Sequence, residues 1–212
     1  MARRDDVQAR RARAAELQAE ARRAERRRNL VIVGVPTAVA AVIIGAAAFA
    51  VVDQMQEQDE VSVAAQEDIE GVRVFEDLSN NHVSTRVDYP QTPSVGGDHA
   101  DVWTNCGVYT SPVDPMQATH SLEHGAVWIG YEPGLDDRQV KTLTDLTKVN
   151  DYVVLSPVEG VPSPVTLSAW GHQLELDTAD DPRLEVFIEK YQQGEQTLEP
   201  GAPYSGGVGS PA

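Results

Sequence analysis

Between Arg28 and Asp53 the chain carries no charged residue, and this stretch constrains the rest more than any other. After Asn29 it reads LVIVGVPTAVAAVIIGAAAFAVV, ending at Val52. As a helix it is long enough to span a ~30 Å hydrocarbon core. Gly34, Pro36 and Gly45 lie within it and are tolerated in membrane helices. The run is too long for the apolar core of a signal peptide, and the basic region before it is also long. No lipobox cysteine follows it. The reading is therefore one uncleaved transmembrane helix over 29–52.

The flanks agree with an anchor. Residues 1–28 hold ten arginines against five acids. Of the chain's 17 bases and 33 acids, seven bases and 28 acids are left for the remainder. The net charge of −16 therefore hides a basic head and a strongly acidic body. The positive-inside rule puts the N-terminus in the cytoplasm and everything beyond about residue 53 outside the cell membrane. An acidic exterior domain argues against nucleic acid as a partner. Residues 1–28 read as a basic cytoplasmic helix resting on anionic lipid headgroups. Residues 53–70 read as an acidic stalk.

The folded part is expected over 71–193, a usual size for one domain. Candidate strands are Val72–Phe75, His82–Ser84, Ala126–Tyr131, Tyr152–Leu155, Val165–Trp170 and Gln173–Leu176, while Val102-Trp103 and Val108-Tyr109 read as strand or turn edges. Two longer helices are expected. Asp136–Asn150 starts with Asp136 and Asp137 and carries Val140, Leu143 and Leu146 on one side. The other follows Pro182 and runs to about Gln192, with Leu184, Phe187, Ile188 and Tyr191 inward. The fold class is thus α+β, a small mixed sheet with two packed helices, preceded by the transmembrane helix. The Gly/Pro/Ser-rich tail, 194–212, reads as disordered.

Five histidines lie in the outer part of the chain, and four of them, His82, His99, His120 and His124, fall within 43 residues. His120-Ser121-Leu122-Glu123-His124-Gly125 places two imidazoles four residues apart, on one face if the stretch is helical. The apolar run that follows reads as a buried strand, so the pair would sit where a helical turn feeds the core. Imidazole suits zinc and copper alike. Met116, four residues before His120, and Cys106 are candidate soft ligands that would favour copper(I). Glu123 is expected behind the metal, accepting from an imidazole N–H. The same stretch also fits H-x-x-E-H, the inverted zinc-protease motif, in which the glutamate is the general base. That chemistry needs the motif inside a long helix, whereas Gly125 and a strand-like run follow here. Polar residues capping a turn are the plainest alternative. Cys106 is the single cysteine. Outside the membrane it would be a buried thiol, a bond to another chain or a metal ligand.

Several motifs together resemble one family. They are Tyr89-Pro90, Pro93, Gly96 and His99, then Trp103, Cys106-Gly107-Val108-Tyr109, the HSLEHG hexamer and Tyr131-Glu132-Pro133. Pro164–Gly171 and the helix ending Phe187–Tyr191 extend the likeness. The chain from about 72 to 203 resembles the domain-of-unknown-function family numbered 3105, whose members look like actinobacterial-type single-pass membrane proteins. The resemblance implies an architecture rather than a reaction. It implies that His82, His99, His120 and His124 share a site, with His172 incidental. Two departures stand out. The loop 90–97 is less compact than the family's Pro-Pro-x-Ser-Gly form. Family tails also carry a cysteine shortly after Pro-Gly-Ala, where Tyr204 or a neighbour stands here. If that cysteine pairs with the counterpart of Cys106 in relatives, this chain lacks the bridge.

The expected function is a membrane-anchored extracytoplasmic domain binding copper or zinc through His82, His99, His120 and His124. The alternatives are a metal-free module docking on another membrane protein, and a zinc hydrolase. No catalytic residue is assigned, and a binding role is favoured over an enzymatic one.

Overall fold

A computed structural model describes residues 2–30, 32 and 35–212, with the backbone alone described at 2–10, 12, 35–42 and 45. The chain divides into two compact units, Met1–Glu57 and Gln58–Ala212. In the first, α1 (Ala2–Asn29) is an arginine-rich helix whose last turn carries Arg26, Arg27 and Arg28. The second helix, α2 (Val35–Ala64), begins there and continues through much of the expected stalk. Among the described residues no helix is long and apolar enough to cross a membrane. Within the 29–52 run expected to do so, residues 31, 33 and 34 lie outside them, and 35–42 and 45 are described by backbone alone.

The second unit is built on a six-stranded mixed sheet, ordered β1-β6-β5-β3-β4-β2. Its strands are β1 (Arg73–Val74), β2 (Gly107–Val108), β3 (Val127–Tyr131), β4 (Val153–Pro157), β5 (Val165–Ala169) and β6 (His172–Leu176). The helices are α3 (Pro115–Glu123), α4 (Asp137–Lys148) and α5 (Arg183–Tyr191). β3 and β4 pair in parallel, joined through α4, and β2 lies parallel to β4. β5 pairs antiparallel with β3 and β6, and the β5–β6 hairpin closes with Ala169 opposite His172.

Every residue of β3, β4 and β5 is buried, as expected of strands covered on both faces. The alternation of side chains divides them between two cores. Val127, Ile129, Val153, Leu155, Val165 and Leu167 face Leu143 of α4 and Leu184, Phe187 and Ile188 of α5. Trp128 and Val154 face Ala118 and Leu122 of α3, with Trp170. The layers are therefore helices α4 and α5, sheet, and helix α3.

The α+β class and both longer helices agree with the sequence reading. Three expectations are corrected. The domain packs three helices, not two, because Asp114 caps a further one: its side chain accepts from Met116 N at 2.9 Å and Gln117 N at 3.3 Å, with Pro115 at the first position. His82–Ser84 is not a strand but one isolated parallel bridge, His82 with His99. The tail is not a free coil. Val208 bridges Thr104, Cys106 N donates to Tyr204 O at 2.8 Å, and Tyr152 Oη donates to Ala202 O at 2.8 Å. Of its glycines, Gly206 and Gly207 lie against Trp103 and Gly209 against the Tyr109 ring.

Candidate metal centre

The rotation of α3 sets up the site. Ala118 and Leu122, four apart, lie on the sheet, so His120, Glu123 and the capping residue His124 are turned toward the loops before the helix. Ser121 locks that rotation by donating to Thr104 O at 2.7 Å. Ser94 and Thr119 hydroxyls share a buried hydrogen bond of 2.6 Å, which ties the loop to the same helix.

Two loop segments complete the arrangement. In the His82–His99 bridge, Val83 N donates to His99 O at 2.7 Å and His99 N donates to Asn81 O at 3.0 Å. Asn81 also donates its backbone and side-chain N–H groups to Asp98 Oδ1, at 3.2 and 2.8 Å. Hydrogen bonds from Ser79 and Asn81 hold the Asp98 carboxyl below its usual range. Tyr89 Oη donates to Asp98 O at 2.7 Å. The loop that presents His99 is thus fixed from three sides.

The outcome is a packed group of imidazoles. Ring centroids of His82, His99 and His120 lie 4.7–4.9 Å apart, and His124 lies 4.6 Å from His120. His99, His120 and His124 are buried, and the His82 side chain is 46% exposed. Three of the rings commit Nδ1 to a backbone carbonyl: His99 to Gly97 O at 2.8 Å, His120 to Ala100 O at 2.7 Å and His124 to Pro203 O at 2.9 Å. A carbonyl only accepts, so each Nδ1 donates, and each ring turns Nε2 toward its neighbours. That is the arrangement in which outer hydrogen bonds orient imidazoles for a metal.

Glu123 stands inside this group. Its Oε2 lies 2.9 Å from His99 Nε2 and 3.5 Å from His82 Nε2, while Oε1 accepts from Asn80 Nδ2 at 3.3 Å. His99 therefore meets an oxygen at both nitrogens. A proton between His99 Nε2 and Glu123 satisfies the contact, and so does a metal cation. Burial, aided by the neighbouring His124, His99 and His82, pushes His120 down to about 4, although the Ala100 carbonyl opposes this. His120 is thus a neutral imidazole at ordinary pH, the form that binds metals.

The ligand atoms fall into two groups, each within 4.8 Å: His82, His99, His120 and Glu123, and His120, His124 and Glu199. The four expected histidines are adjacent, but His124 stands with Glu199 rather than with His82 and His99. Glu123, expected behind the metal, offers a direct ligand atom. Cys106 is in neither group. It packs in the α3-side core, where burial pushes its thiol up to about 12. Met116 lies in the first turn of α3, and its carbonyl accepts from Ala100 N at 3.3 Å. His172 donates Nδ1 to Trp170 O and packs on Tyr191. Glu199 was not legible in the sequence, since no spacing relates it to the histidines.

Fold and site together define a class: an α+β domain with a buried imidazole–carboxylate cluster that could hold a metal ion. The chain belongs to the family described as Protein of unknown function (DUF3105), whose model matches residues 82–206. The match opens on His82 and encloses every residue of both groups. No curated protein matches the chain. No solved structure matches it either.

Proposed function

We propose that this chain is a membrane-anchored, extracytoplasmic protein that binds one copper or zinc ion through His82, His99, His120 and Glu123. The observation that carries the reading is the pair of Nδ1 hydrogen bonds to Gly97 and Ala100, which leave the Nε2 atoms of His99 and His120 gathered with a buried carboxylate. Three imidazoles and one carboxylate suit zinc or copper(II), and with Cys106 set apart in the core no thiolate favours copper(I). The anchor is supported by the uncharged run 29–52 and its arginine-rich flank.

A hydrolase fits the geometry less well. The protease motif needs Glu123 free to act on water, yet it is held by His99 and Asn80, and α3 ends at Glu123. Metal analysis tests the proposal: the purified full chain, loaded with zinc or copper(II) and dialysed, should retain about one ion. The double variant His99→Ala/His120→Ala should retain none. A stoichiometry near zero in the parent chain refutes metal binding.

A further inference from the structure

The cluster contains two overlapping ligand groups, and His120 belongs to both. We propose that they are two alternative positions for a single ion, and that the His120–His124–Glu199 position is where the ion enters and leaves. This rests on the metal-binding reading above.

The argument starts with His120. Its Nδ1 is committed to Ala100 O at 2.7 Å, so only the Nε2 lone pair remains, and that pair serves one ion at a time. Two cations held this close would also repel strongly in a buried setting. One ion shared between two positions removes both conflicts. Moving between them requires exchange of His99, His82 and Glu123 for His124 and Glu199 while His120 stays bound.

The positions differ in depth. The first has four ligands, of which His99, His120 and Glu123 are buried and His82 is half-exposed at its edge. The second has three, and the Glu199 side chain is 53% exposed, with Oε2 3.5 Å from His124 Nε2. Fewer ligands make it the weaker of the two, and it is the one whose carboxylate opens to solvent. The tail builds it: Glu199 N donates to Glu123 O at 3.0 Å, and Pro203 O orients His124. Residues 199–203 thus act as a strap that carries a carboxylate to the mouth of the site.

The experiment compares Glu199→Gln with Glu123→Gln in the full chain, using zinc and copper(II) ions as probes. Equilibrium affinity is measured by chelator competition, and release by stopped-flow capture. Glu199→Gln should leave the affinity within about threefold while slowing release about tenfold, whereas Glu123→Gln should weaken affinity about 10–100-fold. A Glu199→Gln chain that loses affinity as much as Glu123→Gln overturns the proposal in favour of one continuous site. Two ions bound per chain, or unchanged release from Glu199→Gln, also overturn it. Failure of the parent chain to bind either ion instead refutes the metal-binding reading beneath it.

Discussion

Gly125 joins the site-bearing helix to the central strand, and replacing it tests whether this junction is as tightly built as it looks. Its φ is +88°, a region where a side chain costs about 1–2 kcal/mol. A Cβ there would lie 2.8 Å from both Cγ2 and Oγ1 of Thr197, and closer still to Gln193 Nε2. Gln193 cannot simply move aside. Its amide donates to His124 O, its Oε1 accepts from Gly201 N at 2.8 Å, and its backbone N donates to Gly125 O at 2.9 Å. Losing the two side-chain bonds costs about 1 kcal/mol each. Because the strained backbone and the displaced amide share one relaxation, the parts do not simply add, and the expected destabilisation for Gly125→Ala is about 3 kcal/mol. Gly134 is the control. Its φ is +102° and a Cβ meets nothing within 4 Å, so Gly134→Ala carries only the backbone part, about 1 kcal/mol. Urea unfolding of the metal-free chain, followed by circular dichroism, reads both. Equal losses in the two variants would refute the steric account. A loss below about 0.5 kcal/mol for Gly125→Ala would refute the whole of it.

Three further outcomes follow from the same geometry. His120 titrates near 4 in the fold against 6.5 when unfolded, so the unfolded chain takes up the extra proton; metal-free stability should fall by about 3 kcal/mol as pH drops from 6.5 to 4, and urea midpoints of His120→Gln across that window should lack this component. Zinc at about 100 times its dissociation constant should raise unfolding stability by about 2.7 kcal/mol, and a chelator should reverse it; a melting curve indifferent to both would contradict a native-state site. The Cys106–Tyr204 backbone contact at 2.8 Å places the tail beside the single cysteine, so the Tyr204→Cys variant should oxidise to form a disulfide with Cys106 worth about 2–4 kcal/mol, visible as the loss of two thiols by mass; two persistent free thiols in the folded, oxidised protein would show the contact to be wrong.

Much of this fold was legible because its elements carry local signals. Asp136 and Asp137 start α4, Pro182 precedes α5, and the unbroken apolar run from Ala126 to Tyr131 announces a strand buried on both faces. The histidine cluster was legible as a set of neighbours, since two lie four apart and two more lie shortly upstream. How it divides was not. The division depends on the rotation of α3, which is set by Ala118 and Leu122 meeting Trp128 and Trp170, a contact between distant parts of the chain. It depends equally on Glu199 arriving from the far end.

The tail shows why composition misled there. Gly, Pro and Ser in a sequence signal freedom, because such residues bury little apolar area of their own to offset ordering. In this fold they are ordered by what lies over them. A Cβ at Gly207 would press on Trp103, lying 2.8 Å from Nε1, so only glycine lets the backbone run beneath that indole. Gly207 N donates to Asn105 Oδ1 at 2.8 Å, and Val208 N donates to Trp103 O at 2.9 Å. The indole so covered lies 4.7 Å from His124 and 5.7 Å from His120, centroid to centroid. The small residues are therefore the means by which the strap lies close enough to back the second half of the cluster. Gly207→Val should accordingly loosen the strap: protection of the 200–208 amides from hydrogen exchange should drop, while that of β3 and β4 stays. Uniform protection in both variant and parent would mean that the strap is held by Glu199 and Pro203 alone, and that the fit under Trp103 contributes nothing to the site.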